Sequence, residues 1–141
     1  MKKTTFIFML LAVLVSCKQH PKNTEDNAAQ TTIEAISPTD VIVYYFHGAK
    51  RCKTCVAVGD VAKETVEKYF ADNSNVHFVK ISTSEKGNEI LIEKYDVTWN
   101  ALIISKGENF VEITDQAFAT AVKNPQSLEN LVKKEVNKRL Q

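Results

Sequence analysis

The chain has few cysteines, no excess of either charge and no long apolar run. Its three cysteines are an odd number, so they cannot all pair within one molecule. The formal net charge is +1, and setting aside Lys2 and Lys3 leaves 16 basic against 17 acidic residues. That balance gives no basic field to hold nucleic acid. The apolar run Phe6–Val15 is too short to span a bilayer comfortably. Internal repeats are absent, and no motif points to a flavin or nicotinamide site, so no cofactor is expected. What remains is ordinary: 44% apolar and 25% charged residues, enough for one globular domain with its own core.

The N-terminus reads as a targeting segment. Lys2 and Lys3 precede the short apolar run, which ends in Leu14-Val15-Ser16-Cys17. That ending resembles a bacterial lipobox. The resemblance implies cleavage before Cys17 and a lipid on it, and it resolves the odd count by leaving Cys52 and Cys55 as one pair. Residues 1–16 are then a signal peptide, 17–38 a lipidated tether and 39–141 the folded domain. The tether is polar, rich in Asn, Thr, Gln and Ala. Its extended reach is roughly 70 Å and its coil dimension about 25 Å. The expected location is the bacterial cell envelope, facing the periplasm or another extracytoplasmic space where disulfides persist, with a monomeric head domain.

From Asp40 onward the elements alternate. Val41–Phe46 is a continuous apolar run, the pattern of a strand buried on both faces. Cys52–Phe70 carries Val58, Ala62, Val66 and Phe70 at steps of four, with Val61 and Tyr69 beside them, and predicts an amphipathic helix. Val76–Ile81 predicts a second strand. Ser84–Tyr95 predicts a helix weakened by Gly87. Ala101–Ser105, a turn at Lys106–Asn109 and Phe110–Thr114 predict a hairpin. Asp115–Lys123 fits a short helix. Asn124 and Pro125 open a last helix with an apolar stripe of Leu128, Leu131, Val132, Val136 and Leu140 and cations near its C-terminus, Arg139 among them. The order βαβαββα predicts an α/β domain with one four-stranded mixed sheet flanked by helices.

The chemistry concentrates in Lys50-Arg51-Cys52-Lys53-Thr54-Cys55. A strand runs into a turn that delivers two cysteines, two residues apart, to the head of a helix. Such a pair can form and break a disulfide. The positive end of the helix and the cations Lys50, Arg51 and Lys53 favour a thiolate at Cys52, the attacking thiol. Cys55, one helical turn on, is the resolving thiol. His47 is placed to relay protons, to act as a soft-metal ligand or to complete the turn's hydrogen bonding. Trp99 fits a partner-binding rim or the core, and Asn100 fits an unusual turn. His77 reads as a surface or edge residue.

Strand, turn, CxxC, helix and βαββα together resemble the thioredoxin fold over residues 40–141, with Val79-Lys80-Ile81 and Lys94-Tyr95-Asp96-Val97 supporting the match. The departures are specific. Arg51 stands where thioredoxins usually carry an aromatic residue, and Lys53-Thr54 where they carry Gly-Pro. The neighbourhood Tyr45-Phe46-His47 has no acid where the resemblance implies a buried proton acceptor. Ala101 falls where it implies a cis-proline before the third strand, a residue that shapes the substrate groove of a general reductase. The run Tyr44–Gly48 followed by Arg51–Cys55 is similar to small bacterial ArsF-type proteins, also described as nitrophenyl compound nitroreductase subunits, and implies redox partnership.

Two function classes follow. One is a membrane-tethered thiol–disulfide redox protein that exchanges electrons with a partner protein through Cys52 and Cys55. The alternative is a soft metal or metalloid binder using Cys52, Cys55 and His47, for which two thiols suit Cu(I) or As(III) better than structural zinc.

Overall fold

The structure, a computed structural model, describes residues 37–141. The expected signal peptide, the expected lipidation site Cys17 and the expected tether up to residue 36 lie outside the described residues. The chain enters through a turn at Ser37–Asp40. There the Asp40 N–H donates to the Ser37 carbonyl (3.0 Å) and the Ser37 N–H donates to Asp40 Oδ2 (2.9 Å).

Four strands follow: β1 (Val41–His47), β2 (Val76–Ser82), β3 (Ala101–Lys106) and β4 (Asn109–Glu112). They form one mixed sheet in the order β2-β1-β3-β4. β1 runs parallel to β2, with Val41 opposite Val76, and antiparallel to β3, with Phe46 opposite Ala101. β3 and β4 form the expected hairpin, pairing Lys106 with Asn109. Gly107, at φ 59°, supplies the left-handed backbone that a two-residue loop requires. Helices α1 (Lys53–Tyr69), α2 (Glu89–Lys94), α3 (Thr114–Thr120) and α4 (Pro125–Leu140) flank the sheet. The arrangement is α/β and consistent with the thioredoxin-like one the sequence resembles.

Because side chains alternate across a strand, β1 feeds two cores. Val41, Val43 and Tyr45 join Val58, Ala62 and Val66 of α1 and Leu128, Val132 and Val136 of α4. Ile42, Tyr44 and Phe46 join Val79, Ile81, Tyr95, Val97 and Ile103 on the other face. There the rings of Tyr44, Phe46, Tyr95 and Phe110 pack tilted or edge-on at 5.1–6.1 Å, as aromatic quadrupoles prefer.

Four elements or residues differ from the sequence expectation. The helix expected over Ser84–Tyr95 is only the six residues of α2. Gly87, at φ 100°, lies outside the helical region, and Asn88 donates its amide to the Ser82 carbonyl (2.9 Å), so residues 83–88 form a turn. The strand expected over Phe110–Thr114 stops at Glu112. Beyond it the Leu102 N–H donates to Thr114 Oγ1 (3.0 Å), a hydroxyl replacing a strand carbonyl. Tyr69 is exposed rather than part of the buried stripe; its hydroxyl donates to Glu129 Oε1 (2.7 Å) on α4. Arg139, expected only as a cation favoured by the helix C-terminus, is buried. Its guanidinium Nη1 donates to Glu135 Oε2 (2.9 Å) and to the Glu135 carbonyl (3.1 Å), while Nε has no hydrogen-bond partner among the described residues.

Candidate functional site

The site forms where β1 ends and α1 begins. Cys52 is the N-cap of α1, in extended backbone, and its Sγ accepts the Cys55 N–H at 3.1 Å. It therefore takes the place of the Ser, Thr or Asp oxygen that normally satisfies an orphan helix donor. Cys52 and Cys55 are joined as a disulfide with Cα atoms 5.0 Å apart. The two sulfurs have different surroundings. Cys52 is exposed, whereas Cys55, in the first turn of α1, is 5% exposed.

The sequence neighbours of Cys52 carry charge of one sign. Lys50, Arg51 and Lys53 are all exposed, and the first turn of α1 contains no acid. Trp99, the single tryptophan, is 80% exposed and so belongs to the surface and not to the core. Its neighbour Asn100 accepts the Gly48 N–H through Oδ1 (3.3 Å), tying the loop before β3 to the loop that leads to Cys52. Asn100 thus satisfies backbone at an unusual turn, as expected. Ala101 opens β3 opposite Phe46.

His47 closes β1 and is half-buried. Its carbonyl accepts both the N–H and the hydroxyl of Thr83 (2.9 and 3.2 Å). Its Nδ1 lies 3.0 Å from the Gly48 carbonyl, and its ring packs on Tyr45 at 5.9 Å. Alternation places it on the same face of β1 as Tyr45, the face covered by α1. His77, on the edge strand β2, contacts Asp40 Oδ2 at 3.3 Å, far along the sheet from the cysteines. Among the described residues, no group of three or more His, Cys, Asp or Glu side chains is arranged to hold a metal ion.

Two residues at the site escaped the sequence reading. Tyr45, 1% exposed, donates its hydroxyl to the Cys55 carbonyl. Burial pushes this phenol up to about 12; Arg51 opposes the rise and Asp60 adds to it. The ring lies so close to Gly59 that a Cβ there would come within 2.7 Å of Tyr45 Cε1. The position beneath Cys55, where the fold resemblance implied an acid, is therefore filled by a phenol bonded to a backbone oxygen. Phe46, fully buried, faces the opposite core. Two signals were available: Tyr45 shares a strand face with the core residues Val41 and Val43, and a glycine interrupts an otherwise good helix four residues after Cys55.

Comparison with known proteins adds no identity. No protein-family model matches the chain, and no curated protein matches it. Among solved structures 13 chains match. One of them, described as "Structure of a malarial protein", is 20% identical, with a TM-score of 0.41, over 60% of this chain and 94% of that one.

Proposed function

We propose that the chain is a membrane-tethered, extracytoplasmic thiol–disulfide exchange protein in which Cys52 attacks and Cys55 resolves. The observation that carries this reading is the asymmetry of the pair: an exposed cysteine capping a helix N-terminus with Lys50, Arg51 and Lys53 beside it in sequence, bonded to a buried one. A structural disulfide needs no such difference. In the reduced protein the Cys52 thiolate attacks one sulfur of a partner disulfide. A mixed disulfide forms and the partner's other sulfur leaves as a thiolate. Cys55 loses its proton to solvent and attacks Cys52 Sγ, closing the Cys52–Cys55 bond and releasing the partner's second thiolate. Two electrons pass to the partner, whose two thiolates take up protons, and the steps reverse when the partner is a dithiol.

The lipid on Cys17, supported by Leu14-Val15-Ser16-Cys17, belongs to the same proposal, with residues 17–38 as the tether. So does kinship with ArsF-type proteins, supported by Tyr44–Gly48 and Arg51–Cys55. Alkylation of the pair across a glutathione redox series tests the exchange. A reversible two-electron transition is expected, with Cys55→Ser accumulating mixed disulfides through Cys52 and Cys52→Ser accumulating none. A pair that stays oxidised throughout, or trapping through Cys55 instead, overturns the assignment. Stoichiometric Cu(I) or As(III) binding without any exchange would return the site to the metal-binding alternative.

A further inference from the structure

The cations beside Cys52 run against the local rule for helix starts. The first turn of a helix is stabilised by acids and destabilised by cations, because the unpaired N–H groups already concentrate positive charge there. Here Lys53 occupies that turn, no acid does, and Lys50 and Arg51 stand just outside it. None of the three takes part in an ion pair among the described residues, although Lys63, Lys68, Lys94 and Arg139 each find a glutamate elsewhere. Departures from local stability rules are expected at functional sites. A thiolate at Cys52 relieves one charge of this cluster. Two further cations remain without an ion pair among the described residues, beside the exposed Cys52 that a partner must approach.

We propose that Lys50, Arg51 and Lys53 form a cationic collar that selects the redox partner, and that the partner is a protein presenting its reactive cysteine within a segment rich in Asp and Glu. The inference rests on the thiol–disulfide reading of Cys52 and Cys55. A collar of this kind acts chiefly on encounter: complementary charge raises association rates by about 10- to 1000-fold, and the gain falls steeply with ionic strength. It also disfavours partners whose cysteine is flanked by lysine or arginine, since like charges meet at the approach.

The test uses the full chain and three disulfide-linked peptides of equal length, with the cysteine flanked by Asp and Glu, by Ser and Gly, or by Lys. Second-order rates of exchange with the reduced protein are measured at low and high salt. At low salt the acidic peptide should react about tenfold faster than the neutral one and the basic peptide slower, with the spread shrinking to about twofold at high salt. In Lys50→Gln/Lys53→Gln the acidic-to-neutral ratio should fall by about threefold or more. The ratio, unlike the absolute rate, cancels any change in the nucleophilicity of Cys52. Equal rates for all three peptides at low salt, with exchange itself intact, overturn the collar and leave the redox reading standing. Failure of all three peptides, and of oxidised glutathione, overturns the redox reading itself.

Discussion

Tyr44 and Tyr45 are consecutive residues that serve opposite faces of the sheet, and the two faces differ in depth and in purpose. Tyr45 lies under the long helices α1 and α4 and reaches the backbone of Cys55. Tyr44 lies on the face covered by the six-residue α2 and lines a cavity of about 270 Å³ with Pro38, Tyr95 and Ser105. That cavity sits at the Lys106 end of β3, away from the cysteines. The thick face is built around the helix that carries the disulfide. The thin face is closed by aromatic rings and by the Tyr95 hydroxyl donating to Ser105 Oγ (2.9 Å). Packing is thus deepest on the face that seats the helix carrying the disulfide, and shallower on the opposite face.

The largest expected loss comes from hollowing the thick face. Leu128 is fully buried there, and Leu128→Ala should cost about 3 kcal/mol in a urea unfolding titration. A cost below about 1 kcal/mol would mean that α4 is not the principal cover of that face. Gly59→Ala gains up to about 1 kcal/mol of helix propensity, yet its methyl meets the Tyr45 ring at 2.7 Å. Overpacking of this kind costs about 1–3 kcal/mol, and the ring can yield only by shifting β1 or α1. The variant should therefore be destabilised despite the favourable propensity. A stabilised Gly59→Ala would show that the wedge is soft.

Alkali probes both faces together. Burial pushes Tyr44 as well as Tyr45 to about 12, with Tyr95 adding to the rise at Tyr44. The unfolded phenols titrate near 10. Below pH 10 both states hold these protons and stability is unaffected. As pH climbs from about 10 toward 12 the unfolded chain releases them first, so stability falls across that window. Ultraviolet titration of the folded protein should show two late-ionising tyrosines, and each Tyr→Phe variant should flatten the stability loss. Tyrosines that all ionise near 10 while the protein stays folded would contradict the burial of both rings.

The smallest effects separate the two residues at neutral pH. Tyr45→Phe removes the hydroxyl bonded to Cys55 and should cost about 1 kcal/mol. Tyr44→Phe, at a residue that lines the cavity, should change stability by no more than about 0.5 kcal/mol. Thermal unfolding of the pair measures the difference, and equal costs would erase the distinction between the faces.

Much of this architecture is local and was legible in the residues themselves. The continuous apolar run of β1, the four-residue stripe of α1, the Gly107 turn and the Asn124-Pro125 start of α4 are each set by neighbours in sequence. The head-of-helix position of Cys52 follows from the same local pattern, as does the crowding of Lys50, Arg51 and Lys53 around it. Only the tertiary structure decided the rest. It helped cut the second helix to six residues, drawing the Asn88 amide to the end of β2 beside the local break at Gly87. It buried Arg139, put Tyr69 on Glu129 of a distant helix and left Trp99 on the surface. It also set the Tyr45 hydroxyl on the carbonyl of Cys55 and its ring against Gly59. Residues distant in sequence meet only through the register of strands and the seating of helices on them. A periodic pattern names the face a side chain occupies, but not the partner waiting there.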